Sequence, residues 1–154
     1  MNLKRISKDG FRFQLGRREK RLLGDLLKLY PTVPASHLPV SKTGNLPDKE
    51  SSQKLLEEVL AQQRAENKRQ LENLLTDPAR WSDSGDTCEL SLSEAEIDWL
   101  LQVLNDIRVG SWVRLGCPEE RLEVLNEKMA SYLYAMEMAG CFQMYLIHAL
   151  DEDG

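Results

Sequence analysis

Three polar residues inside a mostly apolar stretch are the first candidates for chemistry in this chain of 154 residues. The stretch WLLQVLNDIRVGSWVRLG, residues 99–116, carries Asn105, Asp106 and Arg108. A guanidinium can hold a carboxylate or another anion through two parallel hydrogen bonds. On a helical wheel, Arg108 falls on the predicted apolar face, whereas Asp106 points the opposite way. Asn105 and Arg108, three residues apart, are therefore expected to be neighbours.

An arginine on a buried face needs a partner, because an uncompensated buried charge costs roughly 3–5 kcal/mol. The apolar segment 129–150 contains a single charged residue, Glu137. We predict that Arg108 and Glu137 meet, with Asn105 or Gln143 completing the hydrogen bonds. Three interpretations stay open: a structural polar network that fixes the helix register, an arginine that anchors an anionic ligand in a groove between helices, or an arginine whose charged end is simply exposed to solvent.

Other chemistry-bearing residue types are scattered. The chain has no nucleophile elbow, P-loop, zinc-protease motif or dinucleotide-binding glycine pattern. His37 and His148 stand alone. The three cysteines show no metal-ligand spacing and their number is odd, which favours a reducing compartment; they are Cys88, Cys117 and Cys141. We therefore predict no catalytic residue, no metal site and no cofactor.

The charge is distributed unevenly along the chain. The net charge is −5, but residues 1–30 hold nine basic and three acidic residues, a net +6 that leaves −11 for the remainder. An acidic chain is not a general nucleic-acid binder, so nucleic acid is an unlikely partner. A solvated basic face is the favoured interpretation, and nucleic-acid contact through residues 4–21 is kept as an alternative.

The apolar segment 129–150 has nearly the length of a membrane span. Glu137, Gln143 and His148 interrupt it, and a carboxylate at mid-membrane is costly. A buried central helix or an oligomer interface is therefore the better interpretation, and we expect no membrane association. The first ten residues, MNLKRISKDG, lack the apolar core of a secretory signal, so we expect a cytoplasmic protein.

Hydrophobic periodicity and turn signals divide the chain into elements. An Asp-Gly turn between two short strand-like runs predicts a hairpin at residues 3–15. Leucines at helical spacing predict a helix at 17–30. Four prolines mark residues 31–47 as an extended loop, and a second helix is expected at 49–76.

Residues 82–87, SDSGDT, are expected to form a polar loop. The sequence SEAE is a capping box that predicts a helix at 94–115, and Gly116 is its expected stop. Pro118 is expected to begin another helix, which either continues into 129–150 or bends near residue 128. The fold class that follows is mainly α: a compact helical bundle with a small N-terminal β-hairpin. We expect one domain, 1–154, with 94–115 and 129–150 as its central helices.

The run at 99–116 also resembles the signature of a bacterial family of small, mostly helical proteins known as a domain of unknown function. The positions that match are Trp99, Leu100, Leu104, Asn105, Asp106, Arg108, Arg114, Leu115 and Gly116. The N-terminal DGFRFQL is similar to the beginning of that family, and Gly140 with Gln143 is similar to its ending. The resemblance implies a fold and a set of residues, but no activity.

The expected function is a non-catalytic module that acts by protein–protein interaction, assembled as a homodimer. Two helices that are apolar around most of their circumference are hard to cover in a domain of this size, so a second copy could cover one of them. The alternative is a small-ligand binding protein or small enzyme, with an anion held in a pocket around Asn105, Arg108 and Glu137.

Overall fold

The computed structural model describes residues 1–34, 49–120, 123 and 126–151. The predicted proline-rich loop at 31–47 lies outside the described residues from residue 35 onward. The strands are β1 (Asn2–Arg5), β2 (Gly10–Gly16), β3 (Trp81–Ser84) and β4 (Thr87–Ser93), and the helices are α1 (Arg17–Leu27), α2 (Lys49–Thr76), α3 (Glu94–Arg114) and α4 (Glu127–Asp151).

The four strands form one antiparallel sheet in the order β1-β2-β4-β3. In β2 and β4 the residues alternate between the buried and the open face of the sheet, as strand geometry requires. The inner face is apolar and belongs to the hydrophobic core; its side chains are Leu3, Phe11, Phe13, Leu15, Leu90 and Leu92. The outer face carries mostly polar side chains.

The predicted N-terminal hairpin is confirmed, but it is only half of the sheet. Residues 82–87, expected to form a polar loop, instead belong to a second hairpin made by β3 and β4, with Gly85 at φ +64 in its turn. The expectation of a helical bundle is therefore corrected to a mixed architecture, in which helices cover one face of a four-stranded sheet. The alternation in TCELSLS was the available signal for β4.

Helices α3 and α4 pack against each other and against the sheet. Their buried residues join the core at several points, including an edge-to-face contact between Phe13 and Phe142 with ring centroids 6.4 Å apart. Helix α1 adds Leu23, Leu26 and Leu27 to the same core. The prediction of helices at 94–115 and 129–150 is confirmed within a few residues.

The chain does not continue as a helix from Pro118, as the sequence had suggested. Gly116 and Cys117 both adopt left-handed backbone angles, with φ +89 and φ +56, and so turn the chain out of α3. The described residues between Gly116 and Glu127 are not helical. The expected glycine stop is confirmed.

Helix α2 packs on the rest of the molecule mainly through its C-terminal part. Leu71 and Leu74 are buried, and the Trp81 indole donates a hydrogen bond to the Leu74 carbonyl at 2.9 Å. Nearer its N-terminus, Leu55 and Val59 are more than half exposed.

Candidate functional site: the two sides of helix α3

Helix α3 is fixed at its N-terminus by a complete cap. The Ser93 hydroxyl accepts a hydrogen bond from the Glu96 backbone N–H at 3.1 Å, and the Glu96 carboxylate accepts one from the Ser93 backbone N–H at 3.0 Å. The same carboxylate pairs with the Arg80 guanidinium at 2.5 Å. Burial alone raises the pKa of Glu96, but the hydrogen bonds from Arg80 and Ser93 and the charge of Arg80 leave that pKa below its usual value. The first turn of α3 is thus held by two capping hydrogen bonds and one ion pair.

One side of α3 faces a short segment that we call the strap, residues 30–34. The Asp106 carboxylate accepts hydrogen bonds from the backbone N–H groups of Thr32, at 2.7 Å, and Val33, at 3.3 Å. It also forms an ion pair with Arg64 of α2 at 3.1 Å. A single carboxylate therefore ties three segments of the chain together.

Close backbone packing reinforces this attachment of the strap. A Cβ atom added at Gly110 would lie 2.4 Å from the Val33 nitrogen and 2.5 Å from the Thr32 carbonyl carbon, so only glycine fits there. Arg114 donates from Nε to the Thr32 carbonyl at 3.3 Å, and Arg64 donates to the Val33 carbonyl at 2.7 Å. The polar groups on this side of α3 are occupied in holding the strap.

A second set of hydrogen bonds joins α2 to the same region. The Asn67 side chain donates to the Tyr30 hydroxyl at 3.0 Å and accepts from the Trp99 indole at 3.1 Å. These contacts assign Trp99, one of the residues that carried the family resemblance, a structural role beside α2.

The other side of α3 lies next to α4, and the two helices run antiparallel. Gln143 donates to the Leu101 carbonyl at 3.4 Å, and a Cβ added at Gly140 would lie 3.8 Å from Cδ of Arg108. Residue numbers in α4 therefore decrease in the direction in which residue numbers in α3 increase. Together the two helices present what we call the outer face, whose residues are Arg108, Val109, Trp112, Met136, Glu137, Gly140, Cys141, Met144, Tyr145, Ile147 and His148.

A groove of about 450 Å³ runs along this face between the helices. It is lined by Arg108, Val109, Trp112, Met136, Glu137 and Gly140. The Trp112 indole donates to the Pro118 carbonyl at 3.0 Å, so the largest side chain of the groove is held in place. A second, smaller hollow of about 290 Å³ lies farther along α4 at Cys141, Met144, Tyr145 and His148.

The apolar side chains of the outer face are unusually exposed. Met144 is 73% exposed, Ile147 48%, Tyr145 41% and Trp112 39%. In α4 only one face is buried, through Ala135, Ala139, Phe142, Leu146 and Ala149. The apolar segment that resembled a membrane span is therefore half core and half open surface.

The four predicted site residues do not share one environment: three are exposed and one is half-buried. They are Asn105, Arg108, Glu137 and Gln143. Arg108 and Glu137 line the same groove, but both are exposed, so the premise that they are buried is wrong. Among the described residues neither forms an ion pair within 4.0 Å. Arg108 donates instead to Asn105 at 3.4 Å, as expected for neighbours three residues apart. Gln143 is half-buried and binds the Leu101 carbonyl rather than Arg108.

The face of α3 that the sequence predicted to be buried is not the face that the structure buries. The helix is apolar around most of its circumference, so its sequence alone did not show which side faces the core. The sequence-based prediction assigned no role to Asp106 and did not identify Gly110. A carboxylate and a glycine four residues apart on one helix are compatible with a close backbone crossing, but nothing in the sequence indicated that residues 32 and 33 would make it.

The perturbed titratable groups do not coincide with the outer face. Strong pKa shifts often mark functional sites. Among the described residues, the groups with a shifted pKa are the Arg80–Glu96 pair and Cys88, whose thiol has a pKa raised first by burial and then by its hydrogen bond to Asp83. None of these residues lines the groove. What the outer face offers is a shaped apolar surface with one positive and one negative charge.

Half of the basic residues between positions 4 and 21 make contacts within the molecule. The Arg5 guanidinium lies over the Phe11 ring at 4.5 Å, and Arg12 pairs with Glu89 at 3.3 Å. Arg17 donates to the Gly85 carbonyl at 3.3 Å, and Lys20 lies 4.4 Å from the centre of the Trp81 ring. Nucleic-acid contact through residues 4–21 stays an alternative.

None of the described helices has both the length and the apolarity needed to cross a membrane. In the described part of the chain, no three histidine, cysteine, aspartate or glutamate side chains are grouped as metal ligands. Comparison with protein-family models, with curated proteins and with solved structures finds no match to this chain. The resemblance to a bacterial domain of unknown function stays a prediction.

Proposed function

We propose that this chain is a non-catalytic interaction module that pairs with a second copy of itself through the outer face. The observation that carries the proposal is the exposure of Trp112, Met144, Tyr145 and Ile147 on one side of the α3–α4 pair. Contiguous apolar patches of this kind mark interaction sites on monomeric proteins. Aromatic and methionine side chains are enriched where proteins meet.

The dimensions of the outer face suit a modest interface. Helix α3 has 21 residues, which corresponds to a length of about 31 Å. Two helices packed side by side are about 20 Å wide, so two such faces bury roughly 1,200 Å² in total, the lower end of the range for specific interfaces. We expect a dimer that dissociates in the micromolar range.

The compartment we propose is the cytoplasm. Cys88, Cys117 and Cys141 are all free thiols, and Cys117 is exposed. Exposed thiols persist most readily where the environment is reducing.

Light scattering coupled to gel filtration, over a range of protein concentrations, tests the dimer. We expect the unaltered chain to shift from monomer to dimer as concentration rises, and Met144→Glu to remain monomeric. Leu55→Glu is the matched control, because Leu55 is 62% exposed but lies on α2, away from the outer face. A chain that stays monomeric at several hundred micromolar contradicts the proposal.

The groove itself favours a second candidate, the binding of a small anionic ligand. Its volume of about 450 Å³ lies within the roughly 300–1,000 Å³ of typical ligand pockets, and Arg108 could receive a carboxylate at its edge. Benzoate is a suitable probe, since it combines an apolar ring with one negative charge. A benzoate-dependent rise in melting temperature that Arg108→Met abolishes would support this candidate.

A further inference from the structure

We propose that the two copies meet about a two-fold axis, with Arg108 of each copy paired to Glu137 of the other. This inference rests on the proposed function and specifies the partner and its orientation. Arg108 and Glu137 are the two charged residues among the six that line the groove. Every other lining residue is apolar or glycine.

Among the described residues, neither charge has an adequate partner within its own copy. Both side chains are exposed, and the Arg108 guanidinium makes only a long contact of 3.4 Å to Asn105. When an apolar surface covers the groove, each charge loses water and needs an opposite charge close by. A second copy of the same surface carries both an arginine and a glutamate. In a two-fold interface each contact occurs twice, so Arg108 and Glu137 of each copy can both find an opposite charge on the other copy.

The helix geometry permits both pairs at once. Gly140 of α4 lies next to the side chain of Arg108 in α3, and Glu137 is three residues from Gly140, about 4.5 Å along the axis of α4. A two-fold axis that lies in the interface, parallel to the helices and between them, places α3 of one copy over α4 of the other at the same level. Arg108 then reaches Glu137 of the second copy, and the four helices form an antiparallel bundle.

Charge reversal tests this arrangement. Arg108→Glu opposes two carboxylates across the interface, and Glu137→Arg opposes two guanidinium groups, so each variant alone should dimerise at least about tenfold more weakly. In an equimolar mixture of the two variants, every pair across the interface again joins opposite charges. The mixture should therefore form a heterodimer with nearly the affinity of the unaltered chain, as should the double variant R108E/E137R with itself.

The readout is native mass spectrometry, with the two variants carrying tags of different mass. Pairing within one copy predicts a different result, because each variant would then associate no more tightly in the mixture than it does alone. Circular dichroism and the unfolding midpoint check that each variant folds. If a reversal variant is unfolded, Arg108→Ala, Glu137→Ala and their double variant replace it in a double-mutant cycle of the dimer Kd, and additive effects overturn the pairing.

The outcomes separate this inference from the proposal on which it rests. A dimer that both reversal variants form as tightly as the unaltered chain overturns the Arg108–Glu137 pairing but leaves the interaction module intact. A heterodimer confined to the mixture supports both proposals. An unaltered chain that remains monomeric overturns both.

Discussion

Asp106 and Arg108 are two residues apart in α3, yet they lie in opposite environments. The Asp106 carboxylate is mostly buried and binds two backbone N–H groups and Arg64. Arg108 is exposed beside an apolar groove and has one long contact to Asn105. The carboxylate on one side of the helix is hydrogen-bonded within the chain, whereas the other side of the helix presents a charge and apolar side chains to solvent.

The difference shows how a polar residue in an apolar helix should be interpreted. Asp106 stabilises the position of the strap and of α2, so its substitution should affect folding. Arg108 has little to lose within one copy, so its substitution should affect association. Stability and self-association can therefore be changed separately on the two sides of one helix.

The largest expected effect is that of Gly110→Ala. The added Cβ would lie 2.4 Å from the Val33 nitrogen, and because that contact is backbone, the strap must move. We expect a loss of about 3 kcal/mol or more in the free energy of unfolding, measured by urea denaturation. Gly140→Ala is the matched control on the outer face, where the nearest atom is 3.8 Å away; it should be neutral or stabilise by up to about 1 kcal/mol. Equal losses in both variants would refute the contrast.

Asp106→Ala should have the next largest effect. It removes the acceptor of the Thr32 and Val33 N–H groups and the carboxylate partner of Arg64, which still donates to the Val33 carbonyl. We expect this loss to cost about 2 kcal/mol of unfolding free energy. Arg108→Ala, measured at a concentration where the chain is monomeric, should change that free energy by less than about 0.5 kcal/mol. The comparison fails if Arg108→Ala is as destabilising as Asp106→Ala.

The smallest expected effect is that of Glu96→Gln, which alters the N-terminal cap of α3. The pKa of Glu96 is lower in the folded chain than its usual value of 4.5, so its stabilisation is present above that pH and is lost as the pH falls through the folded pKa. Glu96→Gln should therefore cost about 1 kcal/mol at neutral pH, and the difference should shrink below about pH 4.5. Glu94→Gln is the control, since Glu94 has only a 3.9 Å contact to Arg5. A difference that grows on acidification contradicts the assigned role.

Local signals predicted much of the fold. The Asp-Gly turn located the first hairpin, the Ser93–Glu96 pattern located the start of α3, and Gly116 located its end. The second hairpin was missed because SDSGDT is polar enough to be interpreted as a loop, and β3, which overlaps it, has only four residues. The fold class was wrong in that respect, since a sheet depends on which strands pair, and pairing joins residues far apart in the chain.

The candidate site was less predictable than the fold. The sequence placed Asn105 beside Arg108 and identified Glu137 as the isolated charge of the last helix, and the structure puts Arg108 and Glu137 at one groove. It could not decide whether that groove is buried. A helix that is apolar on all sides has no preferred inner face until the strap, the sheet and α2 occupy the others.

The sequence by itself determined the helix boundaries at caps and glycines, the first hairpin and the surplus of apolar surface in α4, because these depend on neighbouring residues. Only the tertiary structure decided that Asp106 is an anchor and that Arg108 is a surface charge. That assignment depends on a backbone crossing at Thr32 and Val33, more than seventy residues away, and no local pattern encodes it.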